Sequence, residues 1–293
     1  MSTAERNDDE LEDTAAPLIE HLAELRTRLI NSILAFIVGM MACFTIWRHI
    51  FDWLGNPICS QLAERGQDCS LIMVKLQEGF MTAIQISLFG GFVLAFPYIS
   101  YQMWRFVAPG LYKTEKNAFL PFIISSPVLF IIGASFAYYA VLPLAFDFFL
   151  GFQQGGVPVD EAVEAEGASI SFMGSMQEYL ALTIKFLVAF GLCFQLPVLL
   201  SLMGKAGLVS GQGLKDTRKY AVVGILTLAA LVTPPDVITQ VILFVVVYSL
   251  YEVSIQLVII IENKREAELR AEGYYDGEDE EEPEPDAGPK SGG

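Results

Sequence analysis

Four long stretches of this chain carry no Lys, Arg, Asp or Glu, and that constrains the fold more than any other feature. They are Leu29–Trp47, Phe80–Trp104, Phe119–Phe146 and Phe186–Met203. Each is close to or above the roughly 20 residues that cross a bilayer core. Two shorter runs follow, Tyr220–Val232 and Val237–Tyr251, separated only by Thr233-Pro234-Pro235-Asp236. The expectation is an all-α integral membrane protein with six transmembrane helices. Five prolines (Pro97, Pro121, Pro127, Pro143 and Pro197) fall inside these runs. Each removes a backbone hydrogen bond and favours a bend, so the bundle is expected to be bent and concave.

The composition agrees once its charges are located. The chain is 53% apolar and 18% charged, with a formal net charge of −16. Residues 1–28 hold eight acids and three bases, and 262–293 hold twelve acids and four bases, so most of the negative charge sits in the ends. The expected division is an acidic, disordered arm at 1–16, a transmembrane domain at 17–261 and an acidic, disordered tail at 262–293. A total this negative also excludes a protein that grips nucleic acid by its phosphates.

Orientation follows from the bases in short loops. With six spans, the arm, the second and fourth loops and the tail share one side, and they carry fourteen of the eighteen Lys and Arg. Arg48, Arg65, Lys75 and Lys185 remain for the other side. Both termini are expected to be cytoplasmic. The acidic start and long first apolar run do not read as a cleavable signal, so the first helix is expected to stay. Cys43 and Cys193 fall in helices and suit packing. Cys59 and Cys69 share the first outer loop, facing an oxidising compartment, and are expected to form a disulfide.

Two segments on the cytoplasmic side could do chemistry. In the arm, Leu18, Leu22, Leu25 and Leu29 recur at helical spacing, giving an amphipathic helix at the membrane surface. Glu20, Glu24 and Arg28 on it read equally as an i, i+4 surface ladder worth a few tenths of a kcal/mol. The second segment, 101–116, turns at Pro109-Gly110 and then offers Thr114 as an N-cap and Glu115 as a first-turn acid. Trp104, Phe106 and Tyr112 there suit an interfacial aromatic belt. Together the segments put two carboxylates, Glu24 and Glu115, on one membrane face, able to pair with guanidinium groups of a cationic peptide.

Polar residues inside the spans are few. Gln195, in Phe194-Gln195-Leu196-Pro197, faces a partner or cavity, or else bonds the carbonyl that Pro197 frees. Asp236 reads as an N-cap after Pro235, and Gln240 points at lipid or at a partner.

Four stretches in this order closely resemble the TatC family, the multispanning receptor subunit of the twin-arginine protein translocase. They are His21-Leu-x-Glu24-Leu25-Arg26-x-Arg28-Leu29, Trp104-x-Phe106-x-Ala108-Pro109-Gly110-Leu111-Tyr112-x-x-Glu115, Phe194-Gln195-Leu196-Pro197, and Thr233-Pro234-Pro235-Asp236-x-x-x-Gln240. The resemblance covers about 17–260. It implies that Glu24 and Glu115 bind the paired arginines of a signal peptide, with Arg26, Phe106, Leu111 and Tyr112 shaping the same patch. Pro57 matches an important proline of the first outer loop, and Asp236 the outer-turn acid. Gln195, Thr233 and Gln240 would contact single-span partner subunits of TatA and TatB type. Many members carry Glu where this chain has Gln195, so a titrating carboxylate there cannot operate.

The implied activity is receptor binding and assembly in a bacterial inner membrane, driven by the proton-motive force. No enzymatic step, metal or cofactor is expected. The partners are folded cargo with twin-arginine signal peptides, TatA- and TatB-type subunits, membrane lipid and further copies in a larger complex. A small-solute secondary transporter is the alternative, but the span bodies lack paired ionisable groups and no inverted repeat is evident. An intramembrane protease fits less well: the only histidines, His21 and His49, lie outside the spans. Mass spectrometry without reductant should find Cys59 joined to Cys69 in protein from its native membrane; two free thiols would contradict the expected topology.

Overall fold

The computed structural model describes the backbone of residues 3–111, 120–153, 174–234 and 237–271. Side chains are described for 22–106, 121–151, 174–234, 237–268 and Arg270. The architecture is mainly helical: α1 (Thr3–Thr45), α2 (Trp47–Glu64), α3 (Glu78–Leu111), α4 (Leu120–Phe136), α5 (Leu142–Gln153), α6 (Met176–Cys193), α7 (Leu196–Lys205), α8 (Gly211–Asp216), α9 (Arg218–Val232) and α10 (Val237–Ala271). The strand pairing among the described residues is minimal: β1 (Leu71–Ile72) lies parallel to β2 (Gly174–Ser175).

Among the described residues five stretches are long and apolar enough to cross a membrane: Leu22–Thr45, Glu78–Phe106, Pro121–Gly151, Met176–Lys205 and Val237–Glu268. The remaining expected span, fifth in chain order, is α9, whose 15 residues cover only about 22 Å of a roughly 30 Å core. The helix α1 starts inside the arm read as disordered, and α10 runs past the boundary read at 261. Both extensions are rich in Ala and Glu, which favour helix.

The prolines act in different ways. α3 stays one helix through Pro97. Pro121 is the second residue of α4, where a missing N–H costs little. Before Pro143 the backbone widens into a π-helical turn, Ala137–Val141, with Leu142 N–H donating to the Ala137 carbonyl. Ahead of Pro197 the helix breaks between α6 and α7 at Phe194 and Gln195.

The main core is built by α2, α3, α5, α6, α9 and α10 around Phe186, Phe190, Leu142, Leu243 and Ile255, all fully buried. α1 stands at its edge and packs along α3. Small residues permit that approach: a Cβ on Gly91 would lie 2.6 Å from the Met40 nitrogen, and one on Gly39 3.0 Å from the Gly91 carbonyl oxygen. The two backbones therefore touch, as membrane helices do where small residues meet. The remaining faces of α1, with Leu34, Val38 and Met41, are exposed to the surroundings.

Each end of the bundle is tied separately. At one, here termed the cap end, Cys59 and Cys69 form a disulfide with Cα atoms 5.1 Å apart, and Arg65 pairs with Asp147 at 2.8 Å. Glu78, at the start of α3, is 1% exposed. Its Oε2 accepts from the backbone of Val74 (2.6 Å) and Lys75 (3.1 Å). Its Oε1 accepts from Ser175 Oγ (2.7 Å) and the Gln177 backbone (3.0 Å). One carboxylate thus stitches two loops about a hundred residues apart. At the opposite, arm end, Tyr251 Oη donates to the Leu214 carbonyl (2.8 Å), Glu262 takes the Gly211 N–H, and Arg218 meets Glu252 (2.7 Å). These contacts hold the α7–α9 connection on α10. Replacing Gly91 by Ala should force α1 off α3 and destabilise the protein by about 1–3 kcal/mol. The measurement is a thermal unfolding midpoint in mild detergent, and an unchanged midpoint would contradict the backbone contact.

Candidate functional site

At the arm end, α1 and α3 bring a carboxylate, a guanidinium and an amide together. Arg28 is one turn beyond Glu24 on α1, close enough for an i, i+4 pair. Its Nη2 and Nε donate to Glu24 Oε1 at 2.6 and 3.1 Å. Its remaining branch, Nη1, donates to Gln102 Oε1 of α3 at 3.0 Å. Gln102 in turn donates from Nε2 to Tyr98 Oη at 2.6 Å. The pair is more than the surface ladder allowed by the sequence. Arg28 is largely buried, Gln102 is 6% exposed, and Glu24 keeps about a third of its side chain open. The site therefore holds one guanidinium on a carboxylate that solvent still reaches.

The other expected binding residues divide. Arg26 is exposed and lines a shallow hollow of about 320 Å³ with Thr27, Ile30 and Asn31. Phe106 is half-buried one turn beyond Gln102, and Leu111 is the last residue of α3. Tyr112 and Glu115 lie outside the described residues, so the meeting of Glu24 with Glu115 is not on view. Trp104 is not an interfacial belt residue. It is 4% exposed and packs with Val198 and Leu202 between α3 and α7.

The residues read as partner contacts are bonded within the chain to different degrees. Gln195, at the break between α6 and α7, donates from Nε2 to the Ser126 carbonyl (2.9 Å) and accepts from Ser126 Oγ through Oε1 (2.6 Å). Ser126 is also 3.3 Å from Ser100 Oγ, so α3, α4 and the α6–α7 break share one polar chain. The carbonyl that Gln195 reaches belongs to α4 and is not the one freed by Pro197. Thr233 closes α9 by bonding its own Oγ1 to the Ala229 carbonyl at 2.9 Å. Gln240 is half-buried near the start of α10, and Asp236 lies outside the described residues. Pro57 is buried inside α2 at the cap end. Among the described residues no group of three His, Cys, Asp or Glu could hold a metal ion.

Several working residues were not singled out from the sequence. Gln102 and Tyr98 are ordinary polar residues of an apolar span, and only the fold brings Gln102, with Tyr98 behind it, across 74 positions to Arg28. A spacing signal did exist: Tyr98, Gln102 and Phe106 recur every four residues and so share one face of α3.

A bundle of long apolar helices, with polar groups confined to helix ends and a few internal bonds, defines a multispanning integral membrane protein. Comparison with known proteins narrows the class. The family model described as Sec-independent protein translocase protein (TatC) matches residues 20–245. A protein of that name from Magnetococcus marinus is 45% identical over 276 residues, 92% of this chain and 96% of its own length. The Escherichia coli K12 protein is 35% identical over 245 residues, 84% of this chain and 88% of its own. A solved crystal structure of a twin-arginine translocase receptor, TatC, superposes with a TM-score of 0.70 at 38% identity, covering 83% of this chain and 99% of that one. The chain belongs to the TatC family. It is an integral membrane component of a Sec-independent protein translocase of bacterial type.

Gln195→Leu and Ser126→Ala should each destabilise the protein. Their combined effect should fall short of the sum by about 0.5–3 kcal/mol, as for groups sharing one bond. Strict additivity in thermal unfolding would break the polar chain.

Proposed function

We propose that this chain is the receptor subunit of a twin-arginine translocase, binding signal peptides of folded cargo on the cytoplasmic face. The observation that carries the reading is the guanidinium already seated on Glu24 between α1 and α3. A carboxylate that holds one arginine in this way, and stays part-open, suits the arginine of an incoming peptide. Glu115 would take the second arginine, and Arg26, Phe106, Leu111 and Tyr112 would border the site. The apolar segment of the peptide would lie along the bundle. A lateral groove of about 580 Å³ between α1, α3 and α6, walled by Phe36, Leu88, Phe92 and Ile184, is consistent with that.

In this reading both termini are cytoplasmic and α9 is the fifth of six crossings, made short by local thinning of the bilayer or by neighbouring helices. The basic loops support the orientation. TatA- and TatB-type single-span subunits would dock near Thr233 and Gln240, beside the short α9, where Gln240 is half-buried. Gln195, with its amide already bonded to Ser126, would act on partners by fixing the α6–α7 break more than by direct contact. Pro57 and Asp236 would shape the outer surface. Assembly with further copies and partner helices would then draw on the proton-motive force.

Crosslinking of a twin-arginine signal peptide to the membrane-embedded protein tests the site. Glu115→Ala and Glu115→Gln should abolish the crosslink, and Glu20→Ala should leave it unchanged. An undiminished crosslink in Glu115→Gln would refute the assignment, since that variant keeps shape and loses only charge.

A further inference from the structure

At the cap end, the proline inside α2 has a hydrogen-bonding consequence. Pro57 has no N–H, so the carbonyl four residues earlier, that of Trp53, loses its helical partner. That carbonyl nonetheless accepts a bond. Tyr138 Oη donates to the Trp53 oxygen at 2.5 Å, across 85 positions of sequence. The Tyr138 ring also stacks on Trp53, with centroids 4.3 Å apart and planes 6° from parallel. One residue on, Tyr179 Oη of α6 donates to the Leu54 carbonyl at 2.5 Å.

Two tyrosines from separate helices therefore meet two successive carbonyls of α2, one of them the carbonyl that Pro57 leaves bare. Tyr138 is 5% exposed and lies in the π-helical turn Ala137–Val141 ahead of Pro143. That turn sets Tyr138 inward against Trp53 while its neighbour Tyr139 stays exposed. A carbonyl without a donor, this close to hydrocarbon, is costly. The hydroxyl removes that cost only if the third span is held at a fixed distance from α2.

We infer that Tyr138 is a positioning residue for the translocase: its hydroxyl replaces the backbone bond that Pro57 removes and so fixes α2 on the third span. Pro57 by itself would loosen α2. Pro57 together with Tyr138 converts a local break into a contact between two helices. The apolar ring alone does not supply this, because stacking leaves the Trp53 oxygen unpaired.

The pairing makes a reciprocal prediction. Tyr138→Phe keeps the ring and deletes only the hydroxyl. It should shift the folding equilibrium several-fold toward the unfolded state, as for a part-buried hydrogen bond that is lost, and lower export of a twin-arginine reporter. Pro57→Ala restores an N–H for Trp53, so Tyr138→Phe made in that background should cost little on either measure. A direct readout comes from tryptophan carrying ¹³C at the carbonyl. The chain has three tryptophans, and Tyr138→Phe should move one labelled amide band to higher frequency. Tyr139→Phe should move none. An unmoved band would overturn the inference, as would equal losses from Tyr138→Phe in both backgrounds. Should Pro57→Ala stop export by itself, the infrared band and the unfolding midpoint decide.

Discussion

Everything in this molecule depends on one constraint: a backbone N–H or C=O in hydrocarbon must find its partner inside the protein. Uninterrupted helices satisfy it automatically. This chain interrupts them repeatedly, and several interruptions are met by specific devices. The π-helical turn before Pro143 passes the Ala137 carbonyl to Leu142. Thr233 folds its own hydroxyl back to Ala229 at the end of α9, and Lys185 reaches the Leu231 carbonyl nearby at 3.1 Å. These bonds keep the Ala137, Ala229 and Leu231 carbonyls paired where the helices are interrupted.

The same logic assigns polar side chains to joints. Gln195 sits where α6 gives way to α7, and its bonds to Ser126 bring α4 to that joint. Glu78 sits where α3 begins and gathers two loops. Glu262 sits on α10 where α8 begins, and a Cβ on Gly211 would lie 2.4 Å from Ile259, so the approach is close. In each place a side chain does what a straight helix would have done with its backbone. Glu24 with Arg28 and Gln102 joins α1 to α3 in the same way, while the Glu24 side chain keeps about a third of its surface open.

Much of this was legible in the sequence. The charge-free runs mark the helices because length and apolarity suffice for that, and Glu24 and Arg28 announce their pairing by a spacing of four. Family motifs identify the chain because they depend on residues near one another in sequence. What the sequence conceals is contact between distant segments. Nothing local ties Tyr138 to Trp53, Gln102 to Arg28 or Glu78 to Ser175. Trp104 misled for a related reason: an aromatic near a helix end fits an interface or a core equally well, and packing by α7 decides for the core.

The Glu78 stitch changes what the disulfide means. Cys59 and Cys69 are ten positions apart and close a small ring within one loop. The carboxylate of Glu78 joins that loop to another, through donors that no reductant can touch. Reducing the disulfide should therefore loosen only the short stretch between α2 and β1. The Glu78 bonds do not involve the thiols, so the two loops should keep their alignment, and the cap end its shape, in either redox state.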